Sequence, residues 1–279
     1  MEIETSLEPV PPANTINTAY PSEDESGTKN STARASSLSA ASARRQVHLE
    51  VIIPAYNEAD RITATLGATV DFLAAQPWSS RIVVVDNGSA DDTGSVVRRI
   101  AQASDTVDIH LMGCAHPGKG AAVRRGLLSS RSTFAGFLDA DLATPIATLE
   151  AAMTYLEAGA AAVIASRHAP GSTFVQPQHL GRRVGGTAFR LMTRRMVQGI
   201  ADTQCGFKFF EVSAVKRALV ECRTMGFAFD VELLQRIQHS GGRVLEIPVS
   251  WTDGPASTFR PIRDGLASFG AVLQMQRMS

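Results

Sequence analysis

The sequence predicts an α/β fold, a single domain with a mainly parallel, Rossmann-like central sheet. Short runs rich in β-branched and other apolar residues alternate with segments of helical spacing. Such alternation is typical of crossover units, in which successive strands run parallel. Four of the strand-like runs are followed by polar motifs. Because ligands bind beyond the carboxyl ends of the strands in such sheets, we expect a binding site at that edge.

The predicted elements follow one another in a regular order. The predicted strands cover residues 47–53, 81–85, 107–112, 133–138, 161–166 and 244–249. Segments with helical spacing cover about 59–75, 92–103, 119–131, 147–158, 182–198, 230–239 and 262–275. The fourth helix has the clearest limits, because Thr144 suits the N-cap, Pro145 the first helical position and Gly159 the position after the last turn.

The composition separates a tail from a domain. Residues 1–45 are rich in Ser, Thr, Ala, Pro and Glu and show no apolar periodicity, which predicts a disordered N-terminal tail. The whole chain has 279 residues and is 44% hydrophobic, so residues 46–279 suffice for one large domain with a substantial core.

Charge, hydropathy and cysteine usage exclude several classes of protein. Lys plus Arg and Asp plus Glu both number 27, so no global charge favours nucleic acid as a partner. No apolar run is long enough for a transmembrane helix, and no secretory signal is predicted at the amino terminus. Cys114, Cys205 and Cys222 lack metal-ligand spacing, which indicates free thiols and a cytoplasmic location.

Asp139 and Asp141 follow the apolar run 134–138 and form the most informative motif. Two carboxylates separated by one residue at the end of a buried strand can hold Mg²⁺ or Mn²⁺ against a diphosphate. The alternative is that both cap the next helix, but Thr144 already suits that position. We expect Asp141 to be the direct metal ligand, and Asp139 to bind the metal or a ribose.

The motifs after the first two strands suit a nucleoside. Pro54, Ala55 and Tyr56 offer a rigid turn and a ring for a base pocket, while Glu58 either binds the nucleoside or caps its helix. Asp86 either ends its strand or accepts a hydrogen bond from a base imide or a ribose hydroxyl.

Several cations are candidates for phosphate binding. Lys119 lies between two glycines at the start of a predicted helix, which favours an anion, although the spacing is not that of a P-loop. Arg167 follows the fifth strand and either binds a phosphate or forms a structural salt bridge. The further candidates in the second half are Lys208, Arg260 and Arg263.

Two features bear on the acceptor. Asp230 and Glu232 lie at the start of a predicted helix, where either serves as a general base for a hydroxyl acceptor or merely caps the helix and favours its dipole. The predicted helix at 182–198 is basic and amphipathic, so it either lies at an anionic membrane surface or packs as an ordinary helix. Its arginines are Arg182, Arg183, Arg190, Arg194 and Arg195.

Taken together, these motifs resemble the family-two glycosyltransferases of the nucleotide-diphospho-sugar transferase (GT-A type) fold, from about residue 47 to residue 277. The segments 138–145, 165–167 and 202–208 look most like the dolichyl- or polyprenyl-phosphate glucosyltransferases, with the related mannosyltransferases next. One departure is Asn87, which stands where that family usually has a second Asp.

The resemblance implies an inverting, metal-dependent transfer of glucose from UDP-glucose to a phosphate acceptor such as a polyprenyl phosphate. It implies that 46–166 bind the nucleotide sugar and 167–279 bind the acceptor. The implied donor-site residues are Ala55, Tyr56, Glu58, Asp86, Lys119, Asp139 and Asp141, and the implied sugar and acceptor contacts are Arg167, Gln204, Lys208, Ser257 and Arg260. The alternatives are a small soluble hydroxyl acceptor, or a sugar-nucleotide-binding protein without catalysis.

Overall fold

The computed structural model describes residues 47–174, 190–224, 226, 228–251 and 270. Within these residues, the strands are β1 (Leu49–Ala55), β2 (Ser80–Asp86), β3 (Asp108–Gly113), β4 (Phe134–Leu138), β5 (Ala162–Ser166), β6 (Thr173–Phe174), β7 (Phe207–Glu211), β8 (Val244–Pro248) and β9 (Ser250–Trp251). The helices are α1 (Ile62–Ala74), α2 (Thr93–Ala103), α3 (Lys119–Ser129), α4 (Thr148–Glu157), α5 (Val212–Glu221) and α6 (Phe229–His239).

The central sheet has the strand order β3-β2-β1-β4-β7-β5-β8. All neighbouring strands in it are parallel except β7, which runs antiparallel to both β4 and β5. The predicted α/β class with a mainly parallel sheet is confirmed. Separately, β6 and β9 form a two-stranded parallel ribbon.

Both faces of the sheet are covered by helices. In β1, Val51 and Ile53 pack on one face with α1, α2 and α4, whereas Ile52 packs on the other face with α3, α5 and α6. A strand buried on both faces needs an uninterrupted apolar run, which explains why the strands of this sheet were recognisable without alternation. The close approach of α3 depends on Gly126, since a Cβ there would lie 2.7 Å from Ile52 Cγ2.

The start of the fourth predicted helix was wrong. The helix α4 begins at Thr148 with Ala147 as its N-cap, and residues 146 and 147 form a turn instead. Thr144 is buried, and its hydroxyl lies 3.5 Å from the Cys205 thiol. The predicted end is confirmed, because Gly159 follows the helix with φ near +89°.

The predicted basic helix is only partly covered by the described residues. Of 182–198, the described part is helical through Thr193 and continues as turns, so the helix does not reach 198. The predicted tail at 1–45, and all of the closing helix at 262–275 except residue 270, lie outside the described residues. Among the helices that are described, none is long and apolar enough to cross a bilayer.

Candidate functional site

All seven strands of the central sheet have one end at the same edge. The carboxyl ends of β1, β2, β3, β4, β5 and β8 lie there, because these strands are parallel. The antiparallel strand β7 begins at the same edge, so the segment before it, residues 202–206, lies beside the residues that follow β4. This segment joins the predicted donor site although it is about sixty residues away in sequence.

Asp139 forms an ion pair with Lys119 at this edge. Lys119 Nζ lies 2.5 Å from Asp139 Oδ1, and the Asp139 side chain is 37% exposed. Burial alone would lower the pKa of Lys119, but Asp139 and Asp230 together raise it above its ordinary value. The ammonium therefore stays charged, as an anion-binding group requires. The sequence predicted that these two residues lie at the same edge of the sheet, and in the structure their side chains are in contact.

Gly206 makes room for the Asp139 carboxylate. A Cβ at position 206 would lie 1.7 Å from Asp139 Oδ2, a distance that no real contact reaches. Sequence reasoning did not single out Gly206, because a close approach between residues that distant in the chain leaves no local signal.

Asp141 is exposed next to Asp139. Its Oδ1 accepts a hydrogen bond from the Ala143 N–H at 3.1 Å, which fixes its orientation. Partial desolvation raises the pKa of Asp141, and the Asp139 carboxylate raises it further, while the Ala143 N–H, Arg61 and Lys119 oppose the rise. A carboxylate destabilised by a like charge is stabilised by a cation placed between the two groups.

The pair fits a divalent cation that a diphosphate helps to hold. Within the residues that the structure describes, no three His, Cys, Asp or Glu side chains gather around one metal position. Mg²⁺, however, is commonly bound by one or two carboxylates together with substrate phosphates, so Asp139 and Asp141 provide a sufficient protein share. The raised pKa of Asp141 supports the same fit.

Arg61 is a residue at this edge that sequence reasoning missed. Its guanidinium pairs with Glu58, with Nη2 2.7 Å and Nε 2.8 Å from Glu58 Oε2. Burial raises the pKa of Glu58; Arg61 opposes this, and Asp141 and Asp139 add to the rise. The spacing of three residues was the available signal. The helix α1 has no side-chain cap, so capping, one of the two roles left open for Glu58, is contradicted.

The two loops that were predicted to hold the nucleoside are joined to each other. Asn57 Oδ1 accepts from the Ala90 N–H at 2.8 Å, and the Glu58 N–H donates to Thr93 Oγ1 at 2.8 Å. Asp86 Oδ1 accepts from the Ser89 N–H at 3.0 Å, which shapes the turn after β2. These bonds fix the backbone before any ligand binds.

The three residues predicted to line the base pocket differ in exposure. Tyr56 is 51% exposed beyond β1, whereas Ala55 is buried and Pro54 is partly buried. An exposed ring at a sheet's ligand edge suits stacking on a base. The nucleoside roles of these three residues stay predictions.

Arg167 forms the structural salt bridge that was one of its two predicted roles. Its Nε and Nη2 lie 2.7 Å and 2.9 Å from the two carboxylate oxygens of Asp202. Although burial disfavours the charged carboxylate, Arg167 holds the pKa of Asp202 far below its ordinary value. The guanidinium also lies 5.4 Å from the Trp251 ring. A role of Arg167 at the acceptor phosphate stays a prediction.

The structure contradicts the predicted phosphate contact of Lys208. This side chain is 0% exposed in the middle of β7. Its Nζ donates to the Cys205 carbonyl, lies 3.2 Å from Asp230 Oδ1 and lies 5.3 Å from the Phe137 ring. Lys208 was assigned to a phosphate as one of several cations in the second half of the chain, but its aspartate partner allows a buried position here.

The two carboxylates proposed as general bases are also buried. Asp230 pairs with Lys208 and does not cap α6, whose N-cap is Ala228. Glu232 accepts hydrogen bonds from the N–H groups of Arg223 and Thr224, so it shapes the segment after α5. Asp230 is 6% exposed and Glu232 is 3% exposed, and a general-base role for either carboxylate stays a prediction.

Of the remaining predicted contact residues, one lies among the residues that the structure describes and three do not. Gln204 lies in the segment before β7, where its N–H donates to Asp202 Oδ1 at 3.2 Å. Ser257, Arg260 and Arg263 lie outside the described residues.

Comparison with known proteins gives a consistent picture. The model of the family described as Glycosyl transferase family 2 matches residues 50–219. The chain is 30% identical over 232 residues to a dolichyl-phosphate beta-glucosyltransferase of Dictyostelium discoideum, which covers 79% of this chain and 71% of that protein. It is 33% identical over 219 residues to a dolichyl-phosphate beta-glucosyltransferase of Trichomonas vaginalis, covering 75% of this chain and 65% of that protein. The chain thus matches about two thirds of these relatives' length.

A solved structure shares the fold. Glucosyl-3-phosphoglycerate synthase from Mycobacterium tuberculosis, in complex with Mg²⁺ and uridine diphosphate, superposes with a TM-score of 0.59 at 18% identity. The similarity covers 86% of this chain and 82% of that one.

Proposed function

The chain belongs to glycosyl transferase family 2 and has the GT-A type fold, so it is a glycosyltransferase, and on that premise we propose its reaction. It transfers glucose from UDP-glucose to a polyprenyl phosphate, with inversion and with Mg²⁺ or Mn²⁺. The observation that carries the proposal is the exposed pair Asp139 and Asp141 beside Lys119, in a chain about 30% identical to dolichyl-phosphate beta-glucosyltransferases.

The donor diphosphate fits the edge beyond β4. Lys119 offers a charged ammonium there, at the start of α3, where main-chain N–H groups also favour an anion. A divalent cation bound by Asp141 and Asp139 would neutralise charge on the departing diphosphate. The loops after β1 and β2 are fixed in advance and take the nucleoside.

The acceptor needs no general base if it is a phosphate. A phosphate monoester is ionised near neutral pH and attacks the anomeric carbon directly, opposite the leaving diphosphate. Such attack on an α-linked donor gives the β product that the relatives' names describe. The pairing of Asp230 with Lys208 supports this acceptor over a hydroxyl, because no proton has to be taken up by a buried carboxylate.

A lipid acceptor implies a contact with a membrane surface. Leu191 is 70% exposed, and Arg194 and Arg195 are exposed near it, while Met196 is buried. An apolar side chain among arginines suits an anionic interface. Co-sedimentation with anionic liposomes, lost when both arginines are changed to glutamate, is the expected result; no sedimentation of the unchanged protein would contradict this contact.

The test of the proposed reaction is nucleotide release. UDP-glucose, GDP-mannose and UDP-N-acetylglucosamine are offered separately, each with and without a short polyprenyl phosphate, and with Mg²⁺, Mn²⁺ or EDTA. We expect release from UDP-glucose that requires both the metal and the lipid phosphate.

Each of the other outcomes contradicts one part of the proposed reaction. Preference for another donor would reject UDP-glucose, and release that persists in EDTA would reject the metal. If lipid phosphate does not accelerate the release, the polyprenyl acceptor is wrong, and small soluble hydroxyl acceptors become the alternative.

A further inference from the structure

Asn87, directly after β2, connects the donor loops to the loop at 114–118 between β3 and α3. Its Nδ2 donates to the His116 carbonyl at 2.6 Å and lies 3.5 Å from the Cys114 carbonyl. Its Oδ1 accepts from the Gly118 N–H at 2.7 Å. Both ends of one amide are thus bonded to the main chain of the same loop.

The loop needs such a support because of Gly118. This residue has φ near +110° and ψ near 146°, a conformation that residues other than glycine rarely adopt. It is the N-cap of α3, and no side chain caps that helix end. The bond from Gly118 to Asn87 therefore fixes the residue that directly precedes Lys119.

The loop at 114–118 leads directly to Lys119 at the candidate site. Lys119 is the first residue of α3, and its ammonium lies 2.5 Å from Asp139 Oδ1. The Cys114 N–H donates to the Asp86 carbonyl at 2.8 Å, so a main-chain bond fixes the other end of the loop to β2, in addition to the contact between the Cys114 carbonyl and Asn87. Asn87 is the side chain that fixes the end carrying Lys119.

Only an amide matches these partners. An asparagine side chain both donates and accepts, whereas an ionised aspartate only accepts. With aspartate at position 87, the Gly118 N–H would keep its acceptor, but the carboxylate would face the His116 and Cys114 carbonyls without a hydrogen between them.

We infer that Asn87 is a positioning residue, whose amide holds the loop at 114–118 so that Lys119 stands against Asp139 to receive the donor diphosphate. This role rests on the proposed function. It differs from a direct contact with the base, since the amide groups are already bonded to the loop.

The test is Asn87→Asp, because its protonation can restore the lost donor. A protonated carboxyl has one O–H that can donate to the His116 carbonyl and one C=O for the Gly118 N–H. We expect the Kd of Mg²⁺–UDP to rise about tenfold, or about 1.4 kcal/mol, near pH 8. The variant should return to within about threefold of the unchanged protein near pH 4, where an aspartate with the ordinary pKa of about 3.9 is roughly half protonated. The donor KM should change more than kcat.

Other titratable groups near this position are Asp86, Cys114, His116 and Lys119. Because the unchanged protein contains all of them, the ratio of the two Kd values at each pH removes their effect. Asn87→Ala, which cannot be restored by protonation, should stay weak at both values.

Gln238 offers a matched control. Its amide also bonds at both ends, donating to the Gln198 carbonyl and accepting from the Gln198 N–H, each at 2.8 Å. Gln238→Glu breaks the same kind of bond on α6, away from the described donor-site residues, and should leave the Kd of Mg²⁺–UDP unchanged.

A second readout does not depend on the nucleotide. With ¹⁵N-glycine labelling, the Gly118 amide signal should move in Asn87→Asp near pH 8 and shift back toward its original position near pH 4. An unmoved signal would overturn the role of Asn87, and so would a moved signal with unchanged Mg²⁺–UDP affinity. Tighter binding by Asn87→Asp would also overturn it, because it would mean that position 87 accepts from the base. If the unchanged protein binds no UDP while the signal moves and returns, the bond to the loop stands and the proposed donor is wrong.

Discussion

Two groups of acidic side chains in this molecule differ in what surrounds them. Asp139 and Asp141 lie at the ligand edge of the sheet, partly or fully exposed and close to one another. Asp202, Asp230 and Glu232 are buried, each with a cationic or main-chain partner. The comparison teaches that residue type alone does not assign a role. The exposed pair is placed to receive a ligand, and the buried carboxylates hold the protein around it.

The pKa directions of Asp141 and Asp202, one residue from each group, differ in the same way. Burial and the neighbouring Asp139 raise the pKa of Asp141, whereas Arg167 outweighs burial and lowers the pKa of Asp202. A group with an unfavourable native environment for its charge is available to a cation, and a group already stabilised is not.

The largest expected effect is a loss of stability when a buried carboxylate loses its partner. Lys208→Met removes the partner of Asp230 and leaves a buried charge, which should lower the free energy of unfolding by about 3–5 kcal/mol. Urea denaturation measures this. The double variant Lys208→Met with Asp230→Leu should recover most of the loss. Equal stability of Lys208→Met and the unchanged protein would mean that the ion pair is not structural.

A substitution of Asp141, in the exposed group, should impair activity without lowering stability. Asp141→Asn should lower kcat/KM by about a hundredfold to a thousandfold, since a metal supplies several kcal/mol of charge stabilisation. The free energy of unfolding should not fall, because a carboxylate whose pKa is raised by the fold is disfavoured when ionised. Asp105→Asn, an exposed aspartate before β3, is the control. Loss of stability together with activity would remove the contrast between the groups.

A smaller effect is expected at Gly206, whose backbone lies against the Asp139 carboxylate. Gly206→Ala places a methyl group against Asp139 and should raise the donor KM about tenfold, or about 1.4 kcal/mol, by displacing that carboxylate from Lys119. Gly67→Ala is the control, since a Cβ at Gly67 meets nothing within 4 Å. An unchanged KM in Gly206→Ala would show that the position of Asp139 does not affect the donor.

The smallest expected effect is on the pH dependence of stability. The folded pKa of Asp202 is lowered, so its contribution is present above the unfolded value near 3.9 and is lost as pH falls toward the folded value. Between about pH 5 and pH 3, the unchanged protein should lose about 1 kcal/mol more unfolding free energy than Asp202→Asn does. Denaturation at both pH values measures this, and equal losses would contradict the role of the Arg167 pair.

The sequence predicted the first half of the fold well for a physical reason. The strands β1, β2 and β4 are buried runs between helices, and their ends carry the polar motifs. Local pattern is sufficient there, because consecutive elements are neighbours in space.

The strand β7 and helix α5 were not predicted. The strand contains Lys208 and ends in Glu211, and a charged residue inside a short apolar run does not read as a buried strand. Its insertion between β4 and β5 depends on pairings distant in sequence. The roles of Lys208 and Asp230 were missed for the same reason, since each is decided by the other.

The most direct test of the account is Mn²⁺ binding in the presence of UDP, followed by electron paramagnetic resonance. We expect the unchanged protein and Asp105→Asn to bind Mn²⁺ equally well, and Asp141→Asn to bind it at least about tenfold more weakly, or about 1.4 kcal/mol. Equal Mn²⁺ affinity of Asp141→Asn and the unchanged protein would contradict the assignment of the exposed pair as the metal and diphosphate site.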